Sequence, residues 1–116
     1  MKYLCLMCLD ENAAAHVPRE AIEKGIADCR AFFDWLKKRG HLIAHNLLEP
    51  TRGAKMVRVR EGKRMVTDGP FAETKEQLIG YFLIEARDLD EAIDLASRFP
   101  GAQWGGVEVR RVQEAT

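Results

Sequence analysis

The sequence predicts a single α+β domain, and three observations carry that prediction. Residues 2–9 and 78–84 are apolar at both parities, the pattern of strands covered on both faces inside a sheet. Between residues 18 and 39 the apolar positions instead recur every three or four residues, which is the period of a helix. At 116 residues, 47% apolar and 31% charged, the chain has the size and balance of one globular core.

The first run, Tyr3-Leu4-Cys5-Leu6-Met7-Cys8-Leu9, is expected at the centre of the sheet. Residues 10–17 are polar and alanine-rich and read as a connection. Pro18 then opens a helix near its first turn, where a missing N–H costs nothing. Ile22, Ile26, Cys29, Phe33 and Leu36 lay one stripe along it, widened by Phe32 and Trp35. Lys37-Lys38-Arg39 suit the negative end of the helix dipole, and Gly40 closes the helix. Residues 41–48 are a second strand, stopped at Glu49-Pro50. Lys55 to Arg60 alternates Met56/Arg58/Arg60 against Val57/Val59, and Glu61-Gly62 turns the chain into Lys63-Arg64-Met65-Val66-Thr67. This is a hairpin, with Arg58, Arg60 and Arg64 expected on its solvent face. Another strand covers residues 78–84. Asp88 caps a helix with Glu91 three residues on, and Leu89, Ala92, Ile93 and Ala96 are expected on its buried side. Phe99-Pro100-Gly101 ends that helix, and Val107-Glu108-Val109-Arg110 alternates as a last strand.

The order is a βαββαβ plan with an inserted hairpin, which suits a ferredoxin-like α+β layer. Two helices cover only one face of such a sheet. A second copy packed sheet to sheet is the expected cover for the other, giving a homodimer with a cleft or barrel between its sheets.

Eighteen basic and eighteen acidic side chains cancel, so no overall field draws the chain to nucleic acid or to a membrane, and small partners fit better. The opening MKYLCLMCLDE is too short for a signal peptide or a spanning helix, and a cytoplasmic protein is expected. Cys5, Cys8 and Cys29 are odd in number, which suits a reducing compartment. Cys5 and Cys8 lie three apart in a strand and so face opposite ways, which argues against a metal or redox pair. With no G-x-G-x-x-G, G-K-[ST], G-x-S-x-G or H-E-x-x-H pattern, no cofactor is expected.

The candidate site is residues 68–78, a dense polar turn between two apolar strands. Asp68 there accepts backbone N–H bonds with Gly69 supplying unusual angles, or else stands at a cleft mouth as a base or ligand anchor. In the second case Gly69 and Pro70 shape the turn, Phe71 forms an apolar wall and Lys75 faces an anion. Glu73 and Glu76 read equally as solvated charges beside Lys75. His45 is the available proton carrier if it shares a cleft with Asp68. His41 shares its strand parity but lies roughly 13 Å away at about 3.3 Å per residue, too far for one metal.

Val66-Thr67-Asp68-Gly69-Pro70-Phe71-Ala72-Glu73-Thr74-Lys75-Glu76-Gln77-Leu78, followed by Gly80-Tyr81-Phe82-Leu83-Ile84-Glu85, resembles the YCII-related family in its DGPF-type branch. The likeness extends over nearly the whole chain, through the Met1-Lys2-Tyr3 opening, Asp88-Leu89-Asp90-Glu91-Ala92, Pro100-Gly101-Ala102 and Val107-Glu108-Val109-Arg110. It implies a dimeric α+β barrel of ferredoxin-like subunits, a largely unassigned biochemical role, and a link with sigma factors of RNA polymerase. A His/Asp pair in a cleft marks some relatives. Its histidine, early in the first helix, has no match in Arg19-Glu20-Ala21-Ile22-Glu23, so the pair does not carry over simply. Ile79 also stands where glycine is frequent in that branch.

Overall fold

The computed structural model describes residues 1–70 and 74–114. In chain order the elements are β1 (Lys2–Leu9), α1 (Glu11–Ala14), α2 (Arg19–Lys38), β2 (Leu42–Leu47), β3 (Lys55–Arg60), β4 (Lys63–Asp68), β5 (Gln77–Glu85), α3 (Leu89–Ser97) and β6 (Gly106–Arg111), with 3-10 turns at Thr51–Gly53 and Pro100–Gln103. Four strands form an antiparallel sheet in the order β2-β5-β1-β6, while β3 and β4 pair only with each other. With the hairpin set aside, that order is the ferredoxin-like arrangement the pattern predicts. The two runs apolar at both parities are its two central strands.

The helices α2 and α3 lie on one face. Tyr3, Cys5 and Met7 of β1 and Phe82 and Ile84 of β5 point into it, against Phe32, Phe33 and Leu36 of α2 and Ala92, Leu95 and Ala96 of α3. Phe32, Phe33, Phe82 and Phe99 form an aromatic cluster with centroids 5.3 to 6.1 Å apart, mostly edge to face. The opposite face carries Leu4, Leu6, Tyr81 and Leu83, all only partly buried and none of them packed on this core.

Four readings of the sequence need correction. Residues 10–17 hold the helix α1, whose first turn is capped by the Asp10 carboxylate accepting from the N–H groups of Asn12 and Ala13. Ile22 and Ile26 are exposed: twenty residues of helix span about 30 Å, and only the half of α2 beyond Cys29 rests on the core. On α3 the buried row is Ala92, Leu95 and Ala96, continued by Phe99, a row at i, i+3, i+4 and i+7; Leu89 and Ile93 flank it in solvent. In the hairpin Arg60 and Arg64 are exposed as expected, but Arg58 is half-buried beside Met56 while Val57 and Val59 are exposed.

The hairpin makes at most marginal contact with the sheet and helices. Its anchorage is at its base, where the Gly69 N–H donates to the Ala54 carbonyl at 2.8 Å and Lys55 pairs with Asp68. The resulting molecule is flat, 47 × 47 × 19 Å, and its radius of gyration of 16.1 Å exceeds the roughly 13 Å of a compact chain this long. Among the described residues no helix is long and apolar enough to cross a membrane.

Candidate functional site

The polar stretch expected to hold the site is split by the fold into two parts. Asp68 ends β4 as the partner of Lys55 across the hairpin; its side chain is 88% exposed and forms an ion pair with that lysine. Gly69 follows with φ 91°, a left-handed conformation open to glycine, and Pro70 is exposed. Phe71 and Glu73 lie outside the described residues.

The second part begins at Thr74, whose hydroxyl donates to the Glu76 carbonyl to close a tight turn. Gln77 holds that turn to the body of the protein. Its amide nitrogen donates to the carbonyls of Thr74 and Lys75, while its Oε1 accepts the Glu11 N–H at 2.8 Å. The Glu11 carboxylate in turn accepts from the Thr51 N–H and hydroxyl, tying α1 to the 3-10 turn at Thr51–Gly53. A short helix with no buried residue of its own thus fixes the approach of three loops.

Beside this turn lies an open concavity of ≈ 680 Å³, lined by Cys8, Asp10, Thr74, Lys75, Glu76 and Trp104. Lys75 makes no ion pair among the described residues. Trp104 closes the wall after the Pro100–Gln103 turn, with its side of the loop pressed against β1: a Cβ on Gly105 would meet the Cys8 carbonyl and, at 2.9 Å, Leu9 Cα. The indole itself is 81% exposed. The Cys8 thiol is pushed above its ordinary pKa of 9.0, first by burial and then by the carboxylates of Glu108 and Glu76. It is therefore a protonated, weakly nucleophilic group near neutral pH.

His45 is placed elsewhere. It stands on the helix-covered side of β2, opposite Phe82, with its ring stacked on Phe33 at 4.0 Å and 11°. His41 donates from Nδ1 to the Glu85 carbonyl at 2.8 Å, just outside the strand. The bulge between Leu42 and Ala44 breaks the shared parity of the two histidines. No hydrogen bond or ion pair among the described residues joins His45 to Asp68, and neither lines the concavity. Among those residues no group of three or more His, Cys, Asp or Glu is placed to hold a metal ion. Of the expected site residues that are described, the structure brings only Lys75 to this concave surface, beside Glu76.

Sequence reasoning overlooked Trp104, Asp10, Cys8 and Gln77 in this role. Trp104 had a signal, being a tryptophan off any apolar stripe and followed at once by Gly105-Gly106. Gln77 had one as well, as the polar residue that opens an otherwise apolar strand.

The profile of the YCII-related domain matches residues 1–116. Over 112 residues, 95% of this chain and 90% of the other, the sequence is 38% identical to the uncharacterized protein R00369 of Rhizobium meliloti (strain 1021). A match that spans the chain from end to end, on a sheet with the expected strand order, makes this protein a member of the YCII-related family.

Proposed function

We propose that the chain is a small homodimeric binding module that takes a small molecule in the concavity beside the Thr74 to Gln77 turn. The observation that carries this reading is Trp104. A large indole left in solvent on a concave wall forfeits burial that a tryptophan ordinarily obtains, and stacking a ligand ring on it recovers that burial. Lys75 and Glu76 on the same wall supply one charge of each sign to orient polar substituents. Asp68 acts as an acid or base in this scheme when a second copy shields the hairpin base, since the carboxylate alone is solvated and held by Lys55.

The experiment is a metabolite-library thermal-shift screen on wild type beside Trp104→Ala, Lys75→Ala and Asp68→Ala. A ligand at a hundredfold excess over its Kd stabilises the native state by about 2.7 kcal/mol, a shift of about 10 degrees in a domain this size. The expected result is a compound that shifts wild type and whose shift is lost in Trp104→Ala and reduced in Lys75→Ala. Loss in Asp68→Ala as well adds the acid–base role. No shift on wild type, or shifts that survive in all three variants, removes the reading.

A second reading, a regulatory module that engages a protein such as a sigma factor, is favoured by the exposed Ile22 and Ile26 on the free half of α2. Under that reading Ile22→Glu abolishes partner binding while Trp104→Ala leaves it intact.

A further inference from the structure

The β3–β4 hairpin is the element whose pattern and burial disagree most. Its register places Val57 opposite Val66 and Val59 opposite Arg64, so Val57, Val59 and Val66 share one face with Arg64 near the tip and the Lys55–Asp68 pair at the base. That face is the one alternation assigns to a core, yet the three valines are 58%, 61% and 51% exposed. An isolated two-stranded ribbon is marginal in water, and among the described residues this one meets the sheet and helices at most marginally.

We infer that the hairpin is an arm that lies on a second copy of this chain, valine face down against the side of that copy's sheet that carries no helices. The inference rests on the homodimer reading above and adds to it the element that makes the contact. The receiving surface is apolar and of matching character: Leu4, Leu6, Tyr81 and Leu83 from the two central strands, partly exposed and uncovered. Strands of six residues reach about 20 Å, most of the length of the eight-residue β1 beneath them.

Charge selects the same occupant. The arm, residues 55–68, holds Lys55, Arg58, Arg60, Lys63 and Arg64 against Glu61 and Asp68, a net +3 in a chain whose total is zero, so everything outside the arm sums to −3. On the receiving side Glu108 is paired with Arg110, and the concavity beside Cys8, the neighbour of Leu6 in that row, holds Asp10 and Glu76 against Lys75, a net −1. A ribbon of net +3 projecting from a remainder of net −3 is complementary to a second copy of the same chain. Two-fold exchange uses both arms of a pair and closes the assembly, with no arm left to recruit a third copy.

The test uses the full chain. Sedimentation at micromolar concentration is expected to show a dimer for wild type, and for Val57→Glu/Val66→Glu a monomer with unchanged far-UV circular dichroism and self-association weakened about 100-fold, two buried contacts at tenfold each. Raising salt from 0.05 to 0.5 M, which shortens the screening length about threefold, is expected to weaken the wild-type dimer severalfold. A photo-crosslinking residue at position 57, in a mixture of isotopically light and heavy chains, is expected to mark Leu4, Leu6, Tyr81 or Leu83 of the other copy. That mark keeps the test decisive even where the double variant fails to fold. If the double variant stays dimeric and the crosslinks fall within one copy, the arm inference fails while the dimer and its ligand site stand. A wild type that is monomeric sinks both. Crosslinks to a foreign protein or to nucleic acid in place of the second copy overturn the inference as well.

Discussion

At Gln77 one side-chain amide satisfies three backbone groups, the N–H of Glu11 and the carbonyls of Thr74 and Lys75. Removing it with Gln77→Ala leaves the part-buried Glu11 N–H without its partner, while the exposed carbonyls turn to water, and is expected to cost about 1 kcal/mol or more. Gln77→Glu keeps the acceptor toward Glu11 and loses both donors, so its melting temperature should fall between wild type and the alanine variant. Equal melting temperatures for all three would remove Gln77 from its place as anchor of the turn. None of these partners could be read from the sequence, because one lies on α1, whose four residues are too few to show a period. Cys5 gives a second test at this scale. Burial pushes its thiol from 9.0 up to about 12, favouring the protonated form in the native state. The stability linked to that shift is fully present below about pH 9 and is lost as pH rises toward 12, because the unfolded chain releases this proton first. Alkylation at pH 8 should therefore spare Cys5 until the protein unfolds, and Cys5→Ala should flatten the fall of stability above pH 9. Rapid labelling of Cys5 in the native protein would contradict both.

At the scale of elements, α3 shows how a short sequence signal becomes structure. Asp88 accepts from the Glu91 N–H at 2.9 Å, and the Glu91 carboxylate reaches back to the Arg87 N–H at 3.0 Å and to its guanidinium at 2.7 Å. The expected capping exchange is thus present, displaced by one residue at its far end. Asp88→Ala should cost about 1 kcal/mol, read as a melting temperature lower by several degrees, with Asp88→Asn restoring most of it. A loss in Asp88→Asn as large as in alanine would mean that charge, and not the cap, is what the helix uses. Existence and type of the long elements were legible because α2, β1 and β5 carry strong periods. Which residues of a stripe are buried was not, since Ile22 and Ile26 obey the same period as Phe33 and Leu36 and differ only in lying beyond the edge of the sheet. Within the packed half, Trp35 carries the guanidiniums of Arg39 and Arg98 over its ring at 4.8 and 5.0 Å, a contact that joins α2 to the end of α3.

For the molecule as a whole, the question is what the second face of the sheet is for. Continuous apolar runs at β1 and β5 declared that both faces want cover, and that much could be read from the sequence; the candidate site could not, because its concavity joins β1, the Thr74 to Gln77 turn and Trp104, which are far apart in the chain. The two faces of β5 offer a direct comparison. Phe82 is fully buried against Phe32, Phe33 and Phe99, and Phe82→Ala should cost about 3–5 kcal/mol at every protein concentration. Its neighbour Tyr81 faces away from the core, with its hydroxyl accepting from the Asn46 side-chain amide at 2.9 Å, and its ring is half-buried in the single chain. If a second copy covers that face, folding and association are linked, and the wild-type melting temperature rises with protein concentration. Tyr81→Glu puts a charge where the cover must sit, so it should abolish that dependence and leave a stable monomer whose core is intact. A wild-type melting temperature independent of concentration over a hundredfold range would show that the face goes uncovered by a second copy. Independence in Tyr81→Glu alone would instead place the seam of the dimer at the centre of the sheet, within reach of the arm and of the concavity together.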